Sequence, residues 1–254
     1  MGIIMDEANY QMLTNVTRNE IFNKIVDEYG VCYTSDGKKL ISTPANLMGE
    51  YTIKPGTESI CDSAFQYNIN LIKVNIPSSV KYIGRCAFIH CKRLMTAKLP
   101  EQLEYMGNMA FTGCDFYVII IPQSLKSIPE SAFWGNRNLK TIIMHNDINS
   151  IGKRAFMRCT EIEEFVFPPK VKIVEEEVLS ECEKLRKVVM HNGIIEIRNR
   201  AFAETPIEII DIPDSVVILG DYIFGGCRNM KNIKTPVNAS NISKHALDTE
   251  YVWD

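Results

Sequence analysis

The residues able to do chemistry in this sequence are four histidines, eight cysteines and two acidic runs. His90 beside Cys91 pairs a thiol with a base, but a nucleophilic thiol needs a charged, accessible setting that lowers its pKa. Their spacing places Cys91 inward and His90 outward, where burial would raise it. His145 and His191 stand in equivalent positions two structural units apart, about 10 Å at strand spacing. A shared zinc would need further Cys or carboxylate ligands at about 2 Å, and the register places none there. Glu161, Glu163 and Glu164, like Glu175 to Glu177, lack the regular oxygen-ligand loop that calcium uses and read as a solvated face. No Cys-x-x-Cys pair and no phosphate-cradling glycine loop occurs. The expectation is a chain with no catalytic residues, no metal and no cofactor.

The elements that would have to position such residues are set by a period. Phenylalanine or leucine recurs at Phe65, Phe88, Phe111, Phe133, Phe156, Leu179, Phe202, Phe224 and Leu247, at intervals of 22 or 23 residues. A second ladder keeps the same beat: Ile53, Ile76, Leu99, Ile121, Met144, Phe167, Met190, Ile212 and Thr235. Proline follows it in six units, from Pro77 to Pro236. A third runs Ile60, Ile83, Met106, Ile128, Ile151, Val174, Ile197, Leu219, Ile242. Each unit is therefore a strand-like Φ-x-x-Φ-x-Φ-Pro, a turn, a short V-x-x-I segment and a tight turn carrying the phenylalanine. The strand is plainest at Leu71–Pro77, where period-two alternation marks a half-buried strand and Pro ends it. A unit this short cannot bury its apolar side alone, so the units must stack.

Cys91, Cys114, Cys159, Cys182 and Cys227 each fall three residues after the ladder Phe or Leu, and Asn68 and Asn136 fill the same slot. The slot is expected to stack inside the turns and to satisfy backbone groups there. Stacked at about 5 Å, Cys91 with Cys114 and Cys159 with Cys182 could form disulfides. Because Asn takes the same slot, free thiols are the favoured reading.

Ile76 to Lys98 follows the pattern I-P-x-x-V-x-x-I-G-x-x-A-F-x-x-C-x-x-L-x-x-V-x, and in this the chain resembles the BspA-like leucine-rich repeat family over about residues 50–254. Departures are local: Glu175 to Leu179 replaces the Gly-x-x-Ala-Phe turn, and Met144-His145 and Met190-His191 lack the proline. The resemblance implies a repeat solenoid, mainly β with short turns or 3-10 segments. It would be a curved, right-handed leucine-rich-repeat superhelix of about nine 22–23-residue units behind a small α+β N-terminal cap. It also implies protein binding, in some members as adhesins for host or matrix proteins. The expected divisions are 1–50 as cap, 51–247 as solenoid and 248–254 as a short tail.

Within the cap, Thr17 to Tyr29 reads as an amphipathic helix with Ile21, Phe22, Ile25, Val26 and Tyr29 on one stripe and a Thr17/Glu20 capping box. Val31 to Ser42 reads as a hairpin around Asp36-Gly37 with three or four loop residues. Tyr251-Val252-Trp253 is expected to close the last coil.

If the Φ positions of each strand point inward, the fifth position faces out. It reads Asn75, Lys98, Ile120, Ile143, Val166, Val189, Asp211, Lys234, with four consecutive β-branched apolar residues at its centre. The third position reads Lys73, Thr96, Val118, Thr141, Glu164, Lys187, Ile209, Asn232 and widens the patch at Val118. A contiguous exposed apolar stripe marks a contact surface. The candidate binding residues are thus Val118, Ile120, Ile143, Val166 and Val189, with Lys98, Glu164 and Lys187 beside them. The expected partner is a protein ligand, and the alternative is a scaffold that self-associates through this stripe or its ends. A formal charge of -3 leaves no basic excess for nucleic acid. No apolar run reaches the roughly 18 residues of a membrane span, and Met1 to Glu20 lacks the pattern of a leader. The chain thus reads as cytoplasmic; one whose leader had been removed would read the same and be secreted or surface-bound.

Overall fold

The computed structural model describes residues 7–237 and 239–250. The chain is a β-solenoid of about nine turns with little helix, divided into two compact units: residues 1–116 with 120–125, and residues 117–119 with 126–254. In the first unit, Met48–Thr52, Asn70–Asn75 and Thr96–Ala97 form one parallel sheet, one strand per coil. The V-x-x-I segments form another, from Lys39–Ser42 through Ser59–Ile60 and Tyr82–Ile83 to Tyr105–Met106. In the second unit Glu164–Val166 pairs with Lys187–Val189, and Ile209–Asp211 with Asn232–Lys234. Its V-x-x-I arm joins Ile173–Val174, Glu196–Ile197, Ile218–Leu219 and Asn241–Ile242. Proline ends the first strand of a coil, and its carbonyl accepts the amide three residues on, as Pro168 does from Val171 at 3.0 Å. His145 and His191 fill that slot where proline is missing and accept from Ile148 and Ile194 in the same way.

The phenylalanine turns form the third side. In each of eight turns, the residue two before and the residue two after the ladder position have positive φ, among them Arg154 at 56° and Arg158 at 60° around Phe156. These left-handed kinks aim alternate amides at the next coil: Arg154, Phe156 and Arg158 donate to Glu176, Val178 and Ser180 at 2.9 to 3.0 Å. Intervening amides close i→i+3 bonds within the turn, as Cys159 does on Phe156. Only three of the sixteen positive-φ positions are glycine (Gly113, Gly135 and Gly226). The other residues each bear a cost of about 1 kcal/mol, offset by the backbone bonds to the next coil that these conformations make.

The ladder rings fill the interior. Phe65, Phe88 and Phe111 are fully buried and stack at 4.6 and 5.0 Å in the first unit. Phe133 and Phe156 stack at 5.6 Å in the second, and Phe202 and Phe224 at 5.8 Å. Burying each ring stabilises by about 1.5–3 kcal/mol. The cysteine slot is buried as anticipated and its thiols are free. Each Sγ donates to the carbonyl of the ladder Phe one coil back: Cys91 to Phe65 at 3.0 Å, Cys159 to Phe133 at 3.2 Å, Cys182 to Phe156 at 3.3 Å. Thr205, unnoticed in the sequence, takes the same slot and donates to Phe202 at 2.8 Å.

The N-terminal segment departs from expectation. The helix does not run from Thr17 to Tyr29. It spans Arg18–Phe22, with the Thr17/Glu20 capping box in place, and a separate helix covers Glu7–Thr14. The chain turns back at Asp27, whose carboxylate accepts the amides of Tyr29 and Val31, and Ile25–Val26 pairs antiparallel with Cys32–Tyr33. Strand pairing has overridden the helical period, and the stripe Ile21, Phe22, Ile25, Val26, Tyr29 lies exposed instead of buried. The hairpin is as read, with Cys32–Tyr33 against Lys39–Ser42 and four residues enclosed by the bond from Thr34 N–H to the Lys39 carbonyl at 3.0 Å. In the last coil the ladder residues Thr235 and Ile242 are exposed. The tail at Tyr251-Val252-Trp253 lies outside the described residues.

Candidate protein-interaction face

A strand with three inward positions must turn its intervening residues outward, and the coils obey this. Phe165 is buried between exposed Glu164 and Val166, and Ile210 between exposed Ile209 and Asp211. In the second unit Ile143, Val166 and Val189 are 49, 52 and 37% exposed on three successive coils. Val166 lies in register with Val189, and Glu164 with Lys187. The latter two close an ion pair at 2.7 Å along the edge of the apolar column. Ile209 is 60% exposed one coil further on. It extends the apolar surface in the third-position column, where the sequence showed it only as a single residue among polar ones. Val118 and Ile120 are exposed on their own strand, Val118–Ile120. Lys98 is exposed in the first unit, where the outward residues are polar: Lys73 pairs with Glu50 at 3.1 Å and Asn75 donates to Thr52 at 3.0 Å.

The groups that could have done chemistry are committed elsewhere. Burial pushes the Cys91 thiol up to about 12, so it stays protonated and inert near neutrality. His90 stacks on Tyr67 with ring centres 5.3 Å apart. His191 bonds the Pro168 carbonyl at 3.0 Å, and His145 Nδ1 accepts the Asp147 amide at 3.2 Å. The acidic runs are matched by cations one coil away. Lys184 meets Glu161 at 2.8 Å and Lys140 meets Glu163 at 3.0 Å; Lys153 meets Glu176 at 2.8 Å and Arg198 meets Glu175 at 2.7 Å. Glu177 lies between Arg154 and Arg200. Among the described residues no group of three or more His, Cys, Asp or Glu is placed to hold a metal ion. No helix among them is long and apolar enough to cross a membrane.

Short coils, each contributing two strand arms and a buried ladder residue, define a leucine-rich-repeat solenoid. The chain belongs to the family of the BspA type leucine rich repeat region, whose model matches residues 58–186 and 149–250 in six copies. Among solved structures it is similar to a leucine-rich repeat protein from Bacteroides ovatus ATCC 8483. The TM-score is 0.65 at 25% identity, covering 82% of this chain and 62% of that one. It is similar also to a leucine rich cell surface protein from Faecalibacterium prausnitzii A2-165 (0.53, 22% identity, 89% of this chain and 57% of that one). A third is the T. pallidum leucine rich repeat protein TpLRR (0.58, 22% identity, 80% of this chain and 88% of that one). The last two likenesses concern the fold alone. The chain spans less than two thirds of the length of the first two. No curated protein sequence matches it.

Proposed function

We propose that this chain is a non-enzymatic interaction module that presents the outward face of its first strand arm to a protein ligand, with Ile143, Val166 and Val189 at the centre. The observation that carries this is their succession: three β-branched side chains on consecutive coils, each more than a third exposed. Aligned apolar surface of this kind marks a contact site, and β-branched side chains have little rotamer entropy left to lose on binding. Glu164 and Lys187 would form the polar edge of the contact. Val118 would add to it. The Faecalibacterium protein of similar fold is a cell surface protein, which accords with an adhesin-like setting for this chain.

The test is the double variant Ile143→Asp with Val166→Lys. Both side chains are solvent-facing, so the circular-dichroism spectrum and melting temperature should remain those of the parent. Immobilised parent chain should retain specific proteins from host or bacterial extracts, identified by mass spectrometry, and the double variant should lose them. Unchanged retention refutes the assignment. Sedimentation velocity separates the remaining reading: a dimer at micromolar concentration that the double variant abolishes would make a second copy the ligand.

A further inference from the structure

Two neighbouring coils of the second unit are bonded along one side and separated along the other. Among the described residues no ladder links Thr141–Ile143 to Glu164–Val166, or Ser150–Ile151 to Ile173–Val174. The steps on either side keep theirs. Ser150–Ile151 is laddered to Ser127–Ile128. Glu164–Val166 and Ile173–Val174 are laddered to Lys187–Val189 and Glu196–Ile197. A cavity of about 220 Å³ lies between the two first arms, with Ile142 and Met144 on one coil and Phe165 and Phe167 on the other. The phenylalanine turns do bridge the step: Arg154, Phe156 and Arg158 donate to Glu176, Val178 and Ser180. A bonded side opposite an unbonded one is the arrangement of a hinge.

Across the separated side run three ion pairs. Lys140 meets Glu163 at 3.0 Å just before the first arms, Lys170 meets Asp147 at 2.6 Å at the corner between the arms, and Lys153 meets Glu176 at 2.8 Å after the second arms. All six side chains are about a third or more exposed. Exposed pairs hold weakly and are screened by salt, which backbone ladders are not. Elsewhere in the unit such pairs only supplement strands already in register, as Lys187 with Glu164 and Lys231 with Glu208 do.

We propose that this step is a joint: its coils open and close about the phenylalanine turns, and the three ion pairs are straps that ionic strength loosens. Ile143 and Val166 stand on opposite sides of it, so its movement changes the spacing at the centre of the outward column. The joint does not depend on what that column binds.

The test is a distance. Spin labels carried on p-acetylphenylalanine, which leaves the native thiols untouched, are placed at Ser127 and Ile195, three coils apart across the joint. A second protein carries them at Lys172 and Ser240, three coils apart along an arm laddered throughout. Double electron–electron resonance should show the first distance lengthening by about 2 Å, half a strand spacing, between about 0.1 and 1 M sodium chloride, as the screening length falls from about 10 to 3 Å. Glu163→Gln with Lys170→Gln removes two straps. It should lengthen that distance already at the lower salt, with little further response, while the circular-dichroism spectrum stays that of the parent. The second distance should hold throughout. A first distance unmoved by salt overturns the joint, and equal lengthening of both pairs overturns it as a swelling of the whole arm. A salt response that the charge variant does not reproduce overturns the straps. Protein retention by Ile143→Asp with Val166→Lys reads the face alone, so either conclusion can fail without the other.

Discussion

Cys159 Sγ donates to the carbonyl of Phe133, one coil back, at 3.2 Å. That carbonyl also accepts the Asn136 side-chain amide at 2.9 Å, and both residues belong to the column three positions after the ladder ring. The column is thus a hydrogen-bonded seam between coils as well as apolar filling. Cys159→Ala should lower stability by about 1–2 kcal/mol through the lost bond and small void. Cys159→Thr should lose less, since Thr205 already serves in an equivalent slot. Urea midpoints of the three proteins at one pH compare them directly.

The same seam makes stability pH-dependent. Burial pushes the thiols of Cys91 and Cys182 up to about 12 and raises those of Cys114 and Cys159 well above the ordinary thiol value. Unfolded, each would titrate near 8.5. The native state therefore holds these protons more tightly. Stability is intact below about pH 8.5 and falls as pH rises from there toward 12, by about 1.4 kcal/mol per thiol for each unit. Urea midpoints should be flat from pH 7 to 8 and drop steeply between pH 9 and 10.5; a flat profile to pH 10.5 would refute the burial.

At the N-terminal hairpin the Tyr51 hydroxyl donates to Asp27 Oδ2 at 2.6 Å and accepts from the Tyr33 hydroxyl at 2.5 Å. Burial above all raises the pKa of both tyrosine hydroxyls and keeps them protonated. Tyr51→Phe leaves Tyr33 and Asp27 without this bond and should cost about 1–3 kcal/mol. Hydrogen exchange should quicken at Ile25–Val26 and Cys32–Tyr33, whose pairing Asp27 anchors, and should not change in the coils of the second unit.

The left-handed positions predict two substitutions of opposite sign. Ser63 has φ 58° and an exposed side chain, so Ser63→Gly should stabilise by about 0.5–1 kcal/mol as relief of the backbone outweighs added chain entropy. Gly226 has φ 76°, and a Cβ there would run into the Glu204 carboxylate. Gly226→Ala should destabilise by about 1–3 kcal/mol. Thermal melts of both variants read the two signs.

The solenoid, its register and the buried ladder were legible in the sequence because each apolar position repeats in every coil, and a period held that long has one packing solution. The outward column Ile143, Val166, Val189 was legible for the same reason, since alternation along a strand fixes which side chains face water. Three features were not. The positive φ at Arg154, Arg158 and their equivalents depends on amides reaching the next coil, and arginine carries no mark of it. The fate of Thr17 to Tyr29 turned on Asp27 reversing the chain, so that a strand partner outcompeted a short helix. The missing strand ladder between Thr141–Ile143 and Glu164–Val166 is a question of how neighbouring turns share volume, which residue types alone do not state. Periodic burial is written in residue types; the fit between successive coils is decided only when their side chains share one space.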